Sequence, residues 1–328
     1  MKIIYKLLFL FLLTIGYSSC DFLDIVPDEI TTEADAFKDR NAAKNFVYSC
    51  YGYLPQSNVA SGSLDLLTGD EVITAFEHET FASFPKGNYT ASSPVISYWN
   101  TFFQGLRQCY IFLENVDKVP DLTESVKTDY IAQVKFLIAY YHYQLARCYG
   151  PIILIKELPD VNASQAEYLP RTSYDECVDW ICNLLDEAAS SLPAIRTNKE
   201  DYGLATSVGA KAVKAKMLLY AASPLFNGNS SFYSNFTDKS GSQLMPLTYD
   251  PNKWVKAKTA IKEAIDLAEQ NGHALYVKQD YKIGNEDANP YPAAGPVRCL
   301  RTSLVDWDSR NPEVLLAETR SEGSYGCL

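Results

Sequence analysis

At 328 residues, 47% of them hydrophobic, the chain can bury a sizeable core, which excludes disorder as a whole. A formal charge of −11 (40 Asp and Glu, 29 Lys and Arg) argues against a phosphate backbone as partner, since nucleic acid needs clustered cations. Only 3 histidines are present, and no nucleophile motif, phosphate loop or metal-ligand spacing occurs, so no cofactor and no nucleic-acid partner is expected.

The first 19 residues have a basic start at Lys2 and Lys6, an apolar run from Leu7 to Ile15, and small residues before Cys20. This is the plan of a signal peptide, with an apolar run too short to span a bilayer. Tyr17-Ser18-Ser19-Cys20 matches a relaxed bacterial lipobox, which makes Cys20 the lipid-attachment site. Loss of Lys2 and Lys6 would take the formal charge from −11 to −13, so lipid rather than a basic patch would hold the protein at the membrane. Residues 20–32 then read as a lipidated tether and residues 33–328 as the folded domain.

Helical periodicity dominates from there on. A short helix is expected between Glu33 and Tyr53. Apolar residues spaced by three and four then form five stripes: Phe102 to Val116, Ile131 to Cys148, Tyr174 to Ala188, Val208 to Ala222 and Trp254 to Ala268. Ser173 and Glu176 read as a capping box, and Asp250 as an N-cap before Pro251. Gly150 and Gly272 sit where helices should end, Ile152 to Ile155 reads as a short buried extended piece, and Val314 to Glu318 as a strand. Cys109, Cys148, Cys177 and Cys182 fall in helical patterns, where a thiol behaves as a small hydrophobe.

Three long non-periodic stretches, Pro55 to Ser97, Pro224 to Tyr249 and Leu275 to Asn311, interrupt the helices. Aromatic side chains on such loops, carried by a helical scaffold, are where a ligand site is most easily built.

In this order the features resemble the SusD/RagB family of surface glycan-binding lipoproteins. The match begins at Cys20-Asp21-Phe22-Leu23-Asp24 and continues with Gly69-Asp70-Glu71, Tyr98-Trp99-Asn100 and Leu113-Glu114-Asn115. Ala139-Tyr140-Tyr141-His142-Tyr143, Gly150-Pro151-Ile152, Leu219 to Leu225, Trp254 with Ala257, and Asn311-Pro312-Glu313-Val314 complete it. The resemblance implies a mostly α fold of tetratricopeptide-like helical pairs, with long irregular loops forming a ligand-binding lobe. It also implies an oligosaccharide ligand, an outer-membrane location, and a TonB-dependent SusC-like β-barrel transporter as partner. Family members usually continue well past the Asn-Pro-Glu segment, so the C-terminal part of the family fold is expected to be missing here.

The candidate glycan-binding residues are Trp99, Asn100, Asp70, Tyr291 and Trp307, with Glu71 beside Asp70. Trp307 lies between Asp306 and Asp308, whose carboxylates hold it near water, and Tyr291 lies between two prolines. Each has a structural alternative: Trp99 could staple its helix to the core, and Asp70 and Glu71 could cap a turn. His142 reads as a satisfied core or groove histidine. Two competing functions stand beside glycan binding. One is an all-α glycoside hydrolase using paired carboxylates such as Glu77/Glu79 or Asp186/Glu187. The other is a helical-repeat scaffold lipoprotein for outer-membrane assembly.

Overall fold

The computed structural model describes residues 33–55, 80–160, 162, 169–277, 299, 311–317 and 319. The signal peptide, Cys20 and the tether lie outside these residues, as do Asp70, Glu71, Tyr291 and Trp307. Six helices longer than one turn carry the described fold: α1 (Arg40–Tyr51), α2 (Trp99–Asn115), α3 (Glu124–Tyr149), α4 (Tyr174–Ser191), α5 (Ser207–Ala222) and α6 (Asn252–Gln270). Successive helices pack side by side from α2 to α6, with α1 against both α2 and α3. This is the mostly α architecture that the periodicity predicts, in the tetratricopeptide-like arrangement that the resemblance implies. No described helix is long and apolar enough to cross a membrane.

α3 is the axis of the fold, buried nearly all round from Ala132 to Ala146. Tyr141 lies fully inside, stacked on Phe102 at 5.7 Å, and its hydroxyl donates to the Cys50 carbonyl at 2.5 Å. Gly105 permits this close crossing of α2: a Cβ there would meet Tyr53 Cβ at 2.9 Å and Tyr141 Cε2 at 3.0 Å. Phe37, Phe46 and Phe112 close the α1 side in a cluster with centroids 4.8 to 6.2 Å apart.

The ends of the helices differ in detail from the sequence reading. The segment from Glu33 to Tyr53 is a single turn at Glu33–Ala36 followed by α1, because Asp39 starts a new helix by accepting from the Asn41 and Ala42 amides. Ser173 stands at the N-cap of α4, but its side chain makes no capping bond. Asp250 is not the N-cap of α6: the helix starts at Asn252 with Pro251 at the cap, and Asp250, one residue earlier, accepts from the Asn252 amide at 2.9 Å. Gly150 ends α3 with φ 71°, a conformation open to a residue without Cβ. Val314 to Ala317 follows a turn at Pro312 and Glu313, closed by the Val314 amide on the Asn311 carbonyl, and bends at Leu315 and Leu316 rather than forming a strand.

Two stripes are only partly buried. Leu219 of α5 and Trp254 of α6 are exposed to 41% and 42%, and α6 buries four alanines (Ala257, Ala260, Ala264 and Ala268). The loop after α5 is packed rather than loose: buried Asn227 bridges both sides of Asp250, accepting from its amide and donating to its carbonyl, each at 2.9 Å. Cys50, Cys109, Cys177 and Cys182 are buried, as small apolar side chains would be, whereas Cys148 is half-buried.

Candidate functional site

The cavity that gathers sequence-predicted residues lies between the first two turns of α2 and the extended segment after α3. Its volume is about 810 Å³, within the range that small-ligand sites occupy. α2 contributes Trp99, Asn100, Phe103, Gln104 and Arg107, the face beside its buried Phe102–Leu106–Cys109 stripe. The other wall is the chain from Ile153 to Asp160, with Leu169 beyond it.

Buried side chains hold the extended segment in place. The Ile155 amide donates to His142 Nε2 at 3.0 Å, and its carbonyl accepts from the Tyr110 hydroxyl at 2.7 Å. The Thr172 amide donates to the Ile152 carbonyl at 2.7 Å. His142 Nδ1 lies 2.8 Å from the Ile138 carbonyl, so the neutral ring with its proton on Nδ1 satisfies both contacts. Burial pushes its pKa down to about 4, against the smaller opposing effect of the Ile138 carbonyl. Burial likewise pushes the Tyr110 phenol up, which keeps it the donor that Ile155 requires. The expected satisfied histidine is therefore also a support of the cavity wall.

Trp99 is fixed from three sides. The Arg171 guanidinium lies over its ring at 5.5 Å, Tyr149 meets it edge-on at 5.2 Å, and Phe103 tilts against it at 4.9 Å. Arg171 is itself held by the Pro151 carbonyl at 3.1 Å, and the Tyr149 hydroxyl accepts from the Tyr98 amide at 2.9 Å. Trp99 thus both packs on the core and lines the cavity.

Asn100 and Gln104 add amides one turn apart, able to donate and accept. Charges at the site cancel: Arg107 and Lys156 stand against Glu157 and Asp160. Arg107 donates to the Pro159 carbonyl at 2.8 Å and so secures the wall.

Of the predicted site residues, Trp99 and Asn100 come together here; Asp70, Tyr291 and Trp307 belong to segments outside the described residues. Phe103 and Gln104 lie four residues after Trp99 and Asn100, and Arg107 follows them by four and three, a helical spacing that is the sequence signal for this shared face. Ile152 to Ile155 reads in the sequence as one buried piece; the structure buries Ile152 and Leu154 and places Ile153 and Ile155 on the cavity. Asp186 and Glu187 reach different helices, Asp186 binding Lys211 and Lys214 of α5 and Glu187 binding Lys135 of α3. Among the described residues no cluster of His, Cys, Asp and Glu could hold a metal ion.

Residues 21–219 match a SusD-like family described as starch-binding and associating with the outer membrane. A SusD-like protein of Formosa agariphila is 23% identical over 230 residues, covering 66% of this chain and 43% of that protein. The solved structure named BT4246 is 36% identical with a TM-score of 0.68, covering 74% of this chain and 42% of its own. A SusD-like protein from Bacteroides fragilis, 23% identical with a TM-score of 0.55, shares the fold over 76% of this chain and 41% of its own. The chain thus spans less than half the length of these relatives.

Proposed function

The chain belongs to the SusD-like family, and on that premise we propose that it is a lipoprotein, anchored through Cys20, that captures an oligosaccharide at the bacterial surface and passes it to a TonB-dependent SusC-like β-barrel. The observation that carries this reading is the cavity in which a fixed Trp99 is flanked by the amides of Asn100 and Gln104. An indole surface covers the apolar face of a sugar ring, and amides one helical turn apart bond its hydroxyls. That pairing supports a binding role. Asp70, Tyr291 and Trp307 are proposed to complete the ligand-binding lobe.

Trp99→Ala tests the reading. Titration calorimetry against a panel of neutral oligosaccharides should show affinity falling about tenfold or more, with helicity by circular dichroism unchanged. Unchanged affinity would remove Trp99 from the site. For the proposed partner, the tagged lipoprotein should bring a large β-barrel out of detergent-solubilised outer membranes; elution alone would count against delivery.

A further inference from the structure

We infer that the cavity takes a neutral oligosaccharide carrying methyl groups off its rings, as acetylated and 6-deoxy sugars do, with Ile153 and Leu169 receiving those methyls. The inference rests on the binding reading above. The extended segment alternates as a strand must: Ile152 and Leu154 are buried in the core, while Ile153 and Ile155 line the cavity. On an extended piece with one face toward solvent, the outer phase is normally polar. Here it is isoleucine. Ile155 and Leu158 also pack on the core, which accounts for them. Ile153 and Leu169 are outside that packing, and Leu169 is 56% exposed.

Two aliphatic side chains that the core does not use therefore share a cavity with Trp99. A sugar hydroxyl pressed against them would lose water and gain no partner, whereas a methyl would be covered. Each methyl transferred from water to such a wall strengthens binding about fourfold. Because Arg107 and Lys156 balance Glu157 and Asp160, sugar carboxylates or sulfates gain no net attraction from the lining.

Matched tetrasaccharides titrated calorimetrically into the purified chain test this, each pair isolating one source of methyl. Chitotetraose against cellotetraose reports acetamido groups, O-acetylated against alkali-treated xylotetraose reports esters, and a D-rhamnotetraose against the D-mannotetraose of the same linkage reports the 6-deoxy carbon. The methyl-bearing member of at least one pair should bind about tenfold more tightly than its bare partner. Leu169→Asn combined with Ile153→Thr should bring that ratio close to one, while Ile153→Val preserves it and Trp99→Ala weakens both members alike. Equal binding within every pair, or a ratio that survives the double variant, overturns the inference and leaves the binding reading standing. Failure of every glycan to bind overturns both.

Discussion

α3 and α6 are both long helices with apolar stripes, and they end in opposite situations. Between Asp129 and Arg147 α3 carries one charged residue, Lys135, and it lies against α1, α2, α4 and α5. α6 carries Lys253, Lys256, Lys258, Lys262, Glu263, Asp266 and Glu269, and it packs chiefly on α5 through alanines. An apolar stripe establishes that a segment is helical and has an inner side; the density of charge around the rest of the helix sets how many neighbours it can accept. The cavity was built where the well-enclosed helix hands over to extended chain, so its wall inherits the rigidity of the core.

The contrast breaks most visibly at Tyr141. Tyr141→Ala removes a fully buried ring stacked on Phe102 together with the hydrogen bond to Cys50, and should cost about 3–5 kcal/mol in denaturant unfolding. A loss under about 1 kcal/mol would mean that α3 is not enclosed as described.

Next in size is the polar seam that ties α1, α3 and the chain before α5. Arg196 grips Asp129 through two bonds of 2.8 and 2.9 Å and donates twice to the Ala205 carbonyl. Asp129 also accepts from Gln133 at 2.8 Å, Gln133 accepts from Tyr51 at 3.0 Å, and the Tyr51 hydroxyl accepts from the Ala205 amide at 2.9 Å. Arg196→Ala leaves the mostly buried Asp129 without its cation and should cost about 3 kcal/mol. The double variant Arg196→Ala with Asp129→Asn should recover part of that loss, separating the stranded charge from lost packing.

His142 gives a pH-dependent term of similar size. Its folded-state pKa of about 4 lies below the ordinary 6.5, so the unfolded chain binds the proton more readily. The contribution is therefore complete above pH 6.5 and is lost as the pH falls toward 4, by roughly 3 kcal/mol. A protonated ring would also turn an N–H toward the Ile155 amide, loosening the cavity wall. Stability measured from pH 7 to 4 should fall more steeply for the natural chain than for His142→Gln; parallel curves would show that the ring does not titrate with folding.

The helices were legible because periodicity survives any tertiary arrangement, and all five stripes fall in helices. Termini were less so: Ser173 has the right neighbours for a capping box and makes no capping bond, since capping depends on a rotamer that sequence does not state. Phase across irregular chain was hidden too. Ile152 to Ile155 is uniformly apolar, and only the fold shows that alternate members face the core and the cavity. Trp99 could be singled out as an aromatic at a helix start, but Leu169 has no periodic context at all. Its place on the same cavity as Trp99 shows only in the fold.

The smallest effect is expected on α6, where it is most informative. Trp254, Ile261 and Ile265 line an apolar depression of about 440 Å³ with Leu219 of α5, rimmed by Lys258, Lys262 and Asp266. Trp254 is 42% exposed although tryptophan is the largest apolar side chain, and α6 attaches through alanines that a Trp254 truncation leaves in place. Trp254→Ala should therefore change stability by less than about 1 kcal/mol, as for a surface position. A loss of about 3 kcal/mol would place Trp254 among the anchors of α6 on α5 and erase the distinction from α3. A small loss would sharpen it, because α6 would then be held through its alanines on one face, whereas α3 is held by large side chains against four neighbours.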